Sequence, residues 1–186
     1  MGRWCSQTLQ GASNHQITII TAYRVYQTAR SSLLTAYKQQ QQCLITQTNT
    51  LHPDPRQAML KDLQSYIQFL QGATHDILLM WDANSTLQDP DIQKCMGACQ
   101  LHNLQSRCTS ALPINTSARG RHIDFLFGTT LLRISLRKSG ILNFNDSPHS
   151  DHRALFAVFD EQALFQGSTT DPTAPSQRLL RLNNLS

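Results

Sequence analysis

Three short stretches of this 186-residue chain carry side chains suited to proton transfer and cation binding. They are Asp82-Ala-Asn84, Asp124 within His122-Ile-Asp124, and Ser150-Asp151-His152. Each also has an ordinary explanation. An Asp after an apolar run often serves a turn or caps a helix, and a His beside an Asp is commonly a surface pair. Asp124 is the strongest of the set, because an acid inside an otherwise apolar strand requires a partner. His122 and His149 have no such argument behind them and read as structural.

The elements that must position these groups follow from periodicity. Residues 15–23 alternate β-branched and polar side chains, as a strand does. Residues 76–82 form a continuous apolar run with a polar tip, the pattern of a buried central strand. Residues 121–127 set His122 and Asp124 against Ile123 and Phe125, a third strand. Further strands are expected at 131–136 and 153–159. Asp54 and Pro55 start a helix in which Met59, Leu60, Leu63, Ile67 and Leu70 recur at three- and four-residue spacing, closed by Gly72. Helices are also expected over 31–47 and from Asp89-Pro90 to about Gln100. The three chemical clusters then fall at strand ends or just beyond them, where reactive groups gather in α/β sheets. Residues 1–160 read as one domain. Residues 161–186 read as a flexible tail, turn-rich from Gln166, with a frayed helix at 179–185.

Composition narrows the class. With 40% hydrophobic and 15% charged residues the chain is neither disordered nor fibrous. Sixteen Lys+Arg against 12 Asp+Glu give a net charge of +4, a mild bias toward a polyanionic partner from scattered bases. No run approaches the ~20 apolar residues of a membrane span, and the start does not read as a secretory signal. Gly2 and Ser6 fit only a loose myristoylation pattern, which bulky Arg3 and Trp4 disfavour. An intracellular location is the default, with nucleus and cytoplasm both open. Five Cys, an odd number without a Cys-x-x-Cys pair, read as small buried apolar thiols of a reducing compartment. Eleven of the twelve acids are Asp, and Glu161 is the only Glu.

The order of the clusters resembles the endonuclease/exonuclease/phosphatase superfamily, metal-dependent phosphodiesterases that include apurinic/apyrimidinic endonucleases and retroelement endonucleases. That family reads a strand with Tyr, then Gly-Asp-x-Asn, Arg-Ile-Asp-Tyr and Ser-Asp-His. Here these become Thr21-Ala-Tyr23, Trp81-Asp82-Ala-Asn84, His122-Ile-Asp124-Phe125 and Ser150-Asp151-His152. The resemblance covers about residues 16–160. It implies an α/β (α+β) fold, a DNase-I-like sandwich of two sheets flanked by helices. It implies His152 at the scissile phosphate, Asp124 orienting it, and Asp82 orienting or deprotonating the attacking water. Asn84 and Tyr23 would contact the phosphate, and Asp151 would be a metal-side carboxylate. The implied cofactor is Mg²⁺, with Mn²⁺ as the alternative. The implied partner is nucleic acid, DNA before RNA. Arg24, Arg119, Arg121 and Arg153 are candidates to grip its backbone, or are ordinary solvated arginines.

The departures are specific. Trp81 replaces the family's Gly, and His122 its Arg. In the family an Asn and a metal-binding Glu precede the Tyr strand, whereas no Glu lies among the residues before Tyr23. The chain is therefore expected to match the C-terminal two-thirds of such an enzyme, with the N-terminal strands missing, weak metal binding and little or no turnover through loss of that Glu, and an uncovered sheet edge or face. Two other readings stand beside the hydrolase. One is a non-catalytic remnant that binds nucleic acid, and the other a phosphatase of a lipid or inositol headgroup.

Overall fold

The computed structural model describes residues 3–11, 14–28, 35–107, 115–146 and 150–165. A five-stranded sheet in the order β1-β2-β3-β5-β4 forms its centre. These strands are β1 (Trp4–Gln10), β2 (Gln16–Tyr23), β3 (Asp76–Asp82), β4 (His102–Asn103) and β5 (Asp124–Gly128). β2 and β3 are parallel, and β5 runs antiparallel to β3. A second sheet pairs β6 (Leu136–Ile141) with β7 (Leu155–Phe159). The helices are α1 (Ala36–Thr48), α2 (Pro55–Gly72), α3 (Pro90–Ala98), α4 (Thr130–Ser135) and α5 (Glu161–Phe165). The arrangement is the two-sheet α/β sandwich with helices that the sequence implies.

α2 forms for the reasons its sequence offers. The Asp54 carboxylate accepts the Arg56 amide at 2.8 Å, and Pro55 supplies the fixed φ of the first turn. Met59, Leu60, Leu63, Ile67 and Leu70 are all buried, against a sheet face of Ile20, Ala22, Ile77, Leu79, Trp81, Phe125 and Phe127. Each such side chain contributes about 1.5–3 kcal/mol by leaving water. Trp81, where the family has Gly, is 2% exposed and sits in register between Ala22 and Phe125. It changes the packing under the site and leaves the reactive face untouched. The opposite sheet face is covered only in part. Leu126 packs with Leu104, Leu136, Leu155 and Phe159, while Thr21 and Met80 remain exposed beside a 440 Å³ cleft.

Two sequence expectations need correction, and one strand is unforeseen. Residues 131–136, expected as a strand, form α4 with Leu132 buried and Ile134 exposed, and strand geometry begins only at Leu136. A run of six apolar-rich residues fits either period, and Thr129 stands at the helix N-cap position. The polar start hides β1, an edge strand exposed along almost its whole length that pairs with β2 from Trp4↔Ala22 to Gln10↔Gln16. The thiols are not uniformly buried: Cys95 and Cys99 are, whereas Cys5 is exposed. Residues 161–165, the first of the expected tail, form α5, with Leu164 buried. The remaining tail, the helix expected at 179–185, residues 31–34, Cys108 and His149 lie outside the described residues.

Candidate active site

Sheet register assembles the site. Tyr23 ends β2, Asp82 ends β3 and Asp124 begins β5, and the three are direct neighbours in one row: Tyr23↔Asp82↔Asp124. Adjacent residues in a row share a face, so this row lies opposite the buried Ala22–Trp81–Phe125 row. The parallel strands present their carboxyl ends here, where ligands bind in such sheets. Motifs separated by some 40–60 residues in sequence thereby converge by geometry alone.

His152 arrives from the loop before β7. Its Nδ1 donates to both oxygens of the Asp124 carboxylate, at 2.9 and 3.0 Å. That bond places a hydrogen on Nδ1 and leaves Nε2 for the cleft. Burial works against the imidazolium, but the hydrogen bond and charge of Asp124, with Asp82 and Asp151 nearby, outweigh it and raise the His152 pKa. The Asp82 carboxyl is also raised, by burial first and then by the charge of Asp124. Its Oδ1 accepts the Asn84 amide at 3.1 Å, closing a turn in which Asn84 takes a left-handed φ of 46°. The Asn84 side chain donates one N–H to the Arg24 carbonyl at 2.9 Å and retains a second.

A segment the sequence does not advertise fixes the two halves to each other. Thr116 is fully buried, and its Oγ1 accepts the backbone amides of Ile123 and Asp124 at 2.9 and 3.1 Å. Its carbonyl accepts the Arg153 amide at 2.7 Å, and Ser117 bridges to His152. Thr116 and Ser117 thus hold Asp124 and His152 in one frame. No local pattern signals this, because both residues are unremarkable until the loop closes.

All six residues singled out from the sequence meet here. Tyr23, Asp82, Asn84, Asp151 and His152 line a cleft of about 220 Å³ together with Tyr26, Ser117, Arg119 and Arg121, and Asp124 pairs with His152 from the adjoining cleft. The arginines divide. Arg24 is 2% exposed and bonded to Asp89, so it does not reach a ligand, contrary to the expectation that grouped it with backbone-gripping residues. Arg153 lays its guanidinium over Phe144 at 4.6 Å. Arg119 and Arg121 open onto the cleft. His122, read as structural, stacks on Phe125 at 5.2 Å.

Ligand atoms of Asp82, Asp124 and His152 lie within 4.8 Å of one another, a spacing that could hold a metal ion. The donor set fits a hard divalent cation, because carboxylate oxygens dominate it. His152 Nδ1 is engaged by Asp124, so the carboxylate oxygens of Asp82 and Asp124 are the acidic donors of this group, and Asp151 lines the same cleft as Asp82.

No protein-family model matches the sequence, and no curated protein matches it. Solved structures do match in fold. The 3′ phosphatase NExo from Neisseria, bound to product DNA hairpin, aligns with a TM-score of 0.58 at 14% identity, over 85% of this chain and 65% of that one. The endonuclease domain of TRAS1, a telomere-specific non-LTR retrotransposon, gives 0.54 at 13% identity, over 86% and 64%. An AP endonuclease from Archaeoglobus fulgidus gives 0.53 at 14% identity, over 77% and 62%. This chain therefore has the endonuclease/exonuclease/phosphatase fold and spans under two thirds of the length of these three structures. Among the described residues no helix is long and apolar enough to cross a membrane.

Proposed function

We propose that this chain, folded like the endonuclease/exonuclease/phosphatase proteins, is a Mg²⁺-dependent phosphodiesterase of nucleic acid, with Mn²⁺ as the alternative ion. The observation that carries the reading is the His152–Asp124 pair at 2.9 Å, which sets His152 in one cleft with Asp82 and Asn84. The neighbours supply context: one is bound to a DNA hairpin product and another is an AP endonuclease.

Each residue has a role that its environment supports. Asp124 fixes the His152 tautomer, so Nε2 meets a phosphate oxygen, and the raised pKa favours the charged form that a phosphate anion prefers. A carboxylate with a raised pKa is a better proton acceptor near neutrality, and Asp82 takes the proton of the attacking water. The water oxygen forms the new P–O bond as the bond to the leaving sugar oxygen breaks. Asn84 donates its remaining N–H to the phosphate without adding negative charge, and the Tyr23 hydroxyl supplies a second contact. Asp151 would hold the cation. When bound, that cation neutralises phosphate charge and stabilises the leaving oxygen.

The test is nicking of supercoiled plasmid and of abasic duplex DNA, with Mg²⁺ or Mn²⁺ and with chelator. Divalent-dependent cleavage that disappears in His152→Ala and Asp82→Asn supports the proposal. Absence of cleavage above background at high enzyme and Mg²⁺ overturns it. Release of phosphate from an inositol phosphate without any nicking would instead support the headgroup reading.

A further inference from the structure

A larger groove continues from the candidate active site. Its volume is about 550 Å³, and it shares Tyr23, Tyr26 and Arg119 with the smaller cleft around His152 and Asp82. Its walls differ in chemistry from that cleft. Three tyrosines, Tyr23, Tyr26 and Tyr37, and one arginine, Arg119, are among the lining residues, and no carboxylate is among those described. Tyr23 and Tyr26 are 44% and 50% exposed, on the stretch that leaves the buried β2 strand. Packing does not require large aromatic rings to stand in water at such positions.

Two of the rings, those of Tyr26 and Tyr37, are also held in place. The backbone of Tyr23 is fixed by its register against Asp82. The Arg121 guanidinium lies 5.5 Å from the centroid of Tyr26, within cation–π range, and still leaves half of that residue accessible. On the far wall Tyr37 hydrogen-bonds the Asp54 side chain, which caps α2, so that side of the groove is tied to the core helix. Preset aromatic faces beside cationic side chains bind a flat, uncharged π-system attached to an anion. An inositol ring has no such face. A base inside a duplex has both faces covered by its neighbours and could not stack there.

Building on the nucleic-acid reading above, we propose that this groove is a base-binding subsite, in which an unpaired nucleobase beside the scissile phosphate stacks on Tyr26 while Arg119 contacts its phosphodiester backbone. The substrate class is then narrowed to strands with an unpaired or everted nucleotide next to the cleavage point. A fully paired duplex would be the poorer ligand. The groove shares Tyr23, Tyr26 and Arg119 with the cleft of Asp82 and His152, so the stacked base belongs to a nucleotide near the reacting phosphorus.

The experiment measures binding in chelator, so turnover does not enter. A short single strand carrying 2-aminopurine is titrated with the full chain, and an otherwise identical strand with an abasic site at that position serves as comparison. Expected are quenching of 2-aminopurine on binding and affinity about tenfold weaker for the abasic strand, the scale of one base–aromatic stack. Tyr26→Ala should lose the quench and bind both strands with the weaker affinity, while Tyr26→Phe, which keeps the ring, should behave as the parent. Equal affinity for base-bearing and abasic strands, or full quenching by Tyr26→Ala, would overturn the subsite. Displacement of the strand by an inositol phosphate but not by a mononucleotide would overturn it as well. Base-dependent binding in a chain that never nicks DNA would refute the hydrolase and leave the subsite standing.

Discussion

Arg24 and Asp89 meet at 2.8 Å beneath the candidate active site, joining the end of β2 to the N-cap of α3. The Arg24 backbone amide donates to the Asp82 carbonyl at 2.8 Å, and its own carbonyl accepts from the Asn84 side chain. The Asp89 carboxylate also accepts from Ser85 at 2.7 Å and from the Asp91 amide at 3.0 Å. Arg56 adds a second cation at 3.8 Å from Asp89 and bonds the Val25 carbonyl at 2.8 Å. The Asp82–Asn84 turn therefore rests on a buried ion-pair network, and its geometry depends on that network staying whole.

Asp89→Asn should destabilise the fold by about 3 kcal/mol, the cost of stranding a buried charge rather than the net value of the pair. Asn still caps a helix well, so the change isolates the charge. Urea denaturation provides the measurement. A loss within about 0.5 kcal/mol, as for a surface substitution, would show that the network carries no such weight.

Acid stability should report the same network. Burial opposes ionisation of Asp89, but the hydrogen bonds from Arg24 and Ser85 with the Arg24 charge outweigh it, so its folded pKa lies below the ordinary 3.8. A depressed pKa stabilises the fold fully above the unfolded value, and the contribution fades as pH falls through the folded one. Asp82 is shifted the other way, so its ionised form weighs against the fold at neutral pH and its protonation relieves that in acid. The acid-side loss of stability below about pH 4 should thus be shallower in Asp89→Asn than in the parent, read as the urea midpoint against pH. An unchanged slope would remove Asp89 from the account.

How much of this was legible in the sequence depends on whether the signal is local. α2 announces itself through Asp54-Pro55 and the spacing from Met59 to Leu70, because capping and amphipathic burial are written within one helix. Tyr23, Asp82 and Asp124 are legible as polar ends of apolar runs, and register then sets them side by side. β1 is not legible, since Trp-Cys-Ser-Gln-Thr-Leu-Gln becomes a strand only by pairing with β2. Nor are Arg24 and Thr116, whose importance comes from partners many residues away. An arginine next to a phosphate-site tyrosine reads as a ligand contact until burial shows it facing the core.

Asp124 should act on the reaction only through His152. If so, Asp124→Asn and His152→Ala each reduce nicking by about 10²-fold or more, the scale of a positioned proton-transfer group. The double variant should then be no slower than His152→Ala alone, because the second change removes support from a group already gone. A double variant slower by the product of the two single losses would give Asp124 an independent role, such as holding the cation. The comparison needs only relative nicking rates at one saturating Mg²⁺ concentration.

Thr116 offers the sharpest test of the frame that joins Asp124 to His152. Its Oγ1 is the acceptor for the amides of Ile123 and Asp124, in a fully buried position. Thr116→Val keeps the volume and removes the acceptor, leaving two buried N–H groups without it. Each unsatisfied donor costs about 1–3 kcal/mol, so a loss of about 2 kcal/mol or more in unfolding free energy is expected. Thr116→Ser keeps the oxygen and should lose far less. Amide hydrogen exchange separates this from general loosening: protection at Ile123 and Asp124 should fall in Thr116→Val while α2 amides, packed on the other sheet face, change only with global stability. Unchanged protection at those two amides would mean that the hydroxyl does not hold the start of β5. The link from Thr116 to the His152–Asp124 geometry would then fail with it.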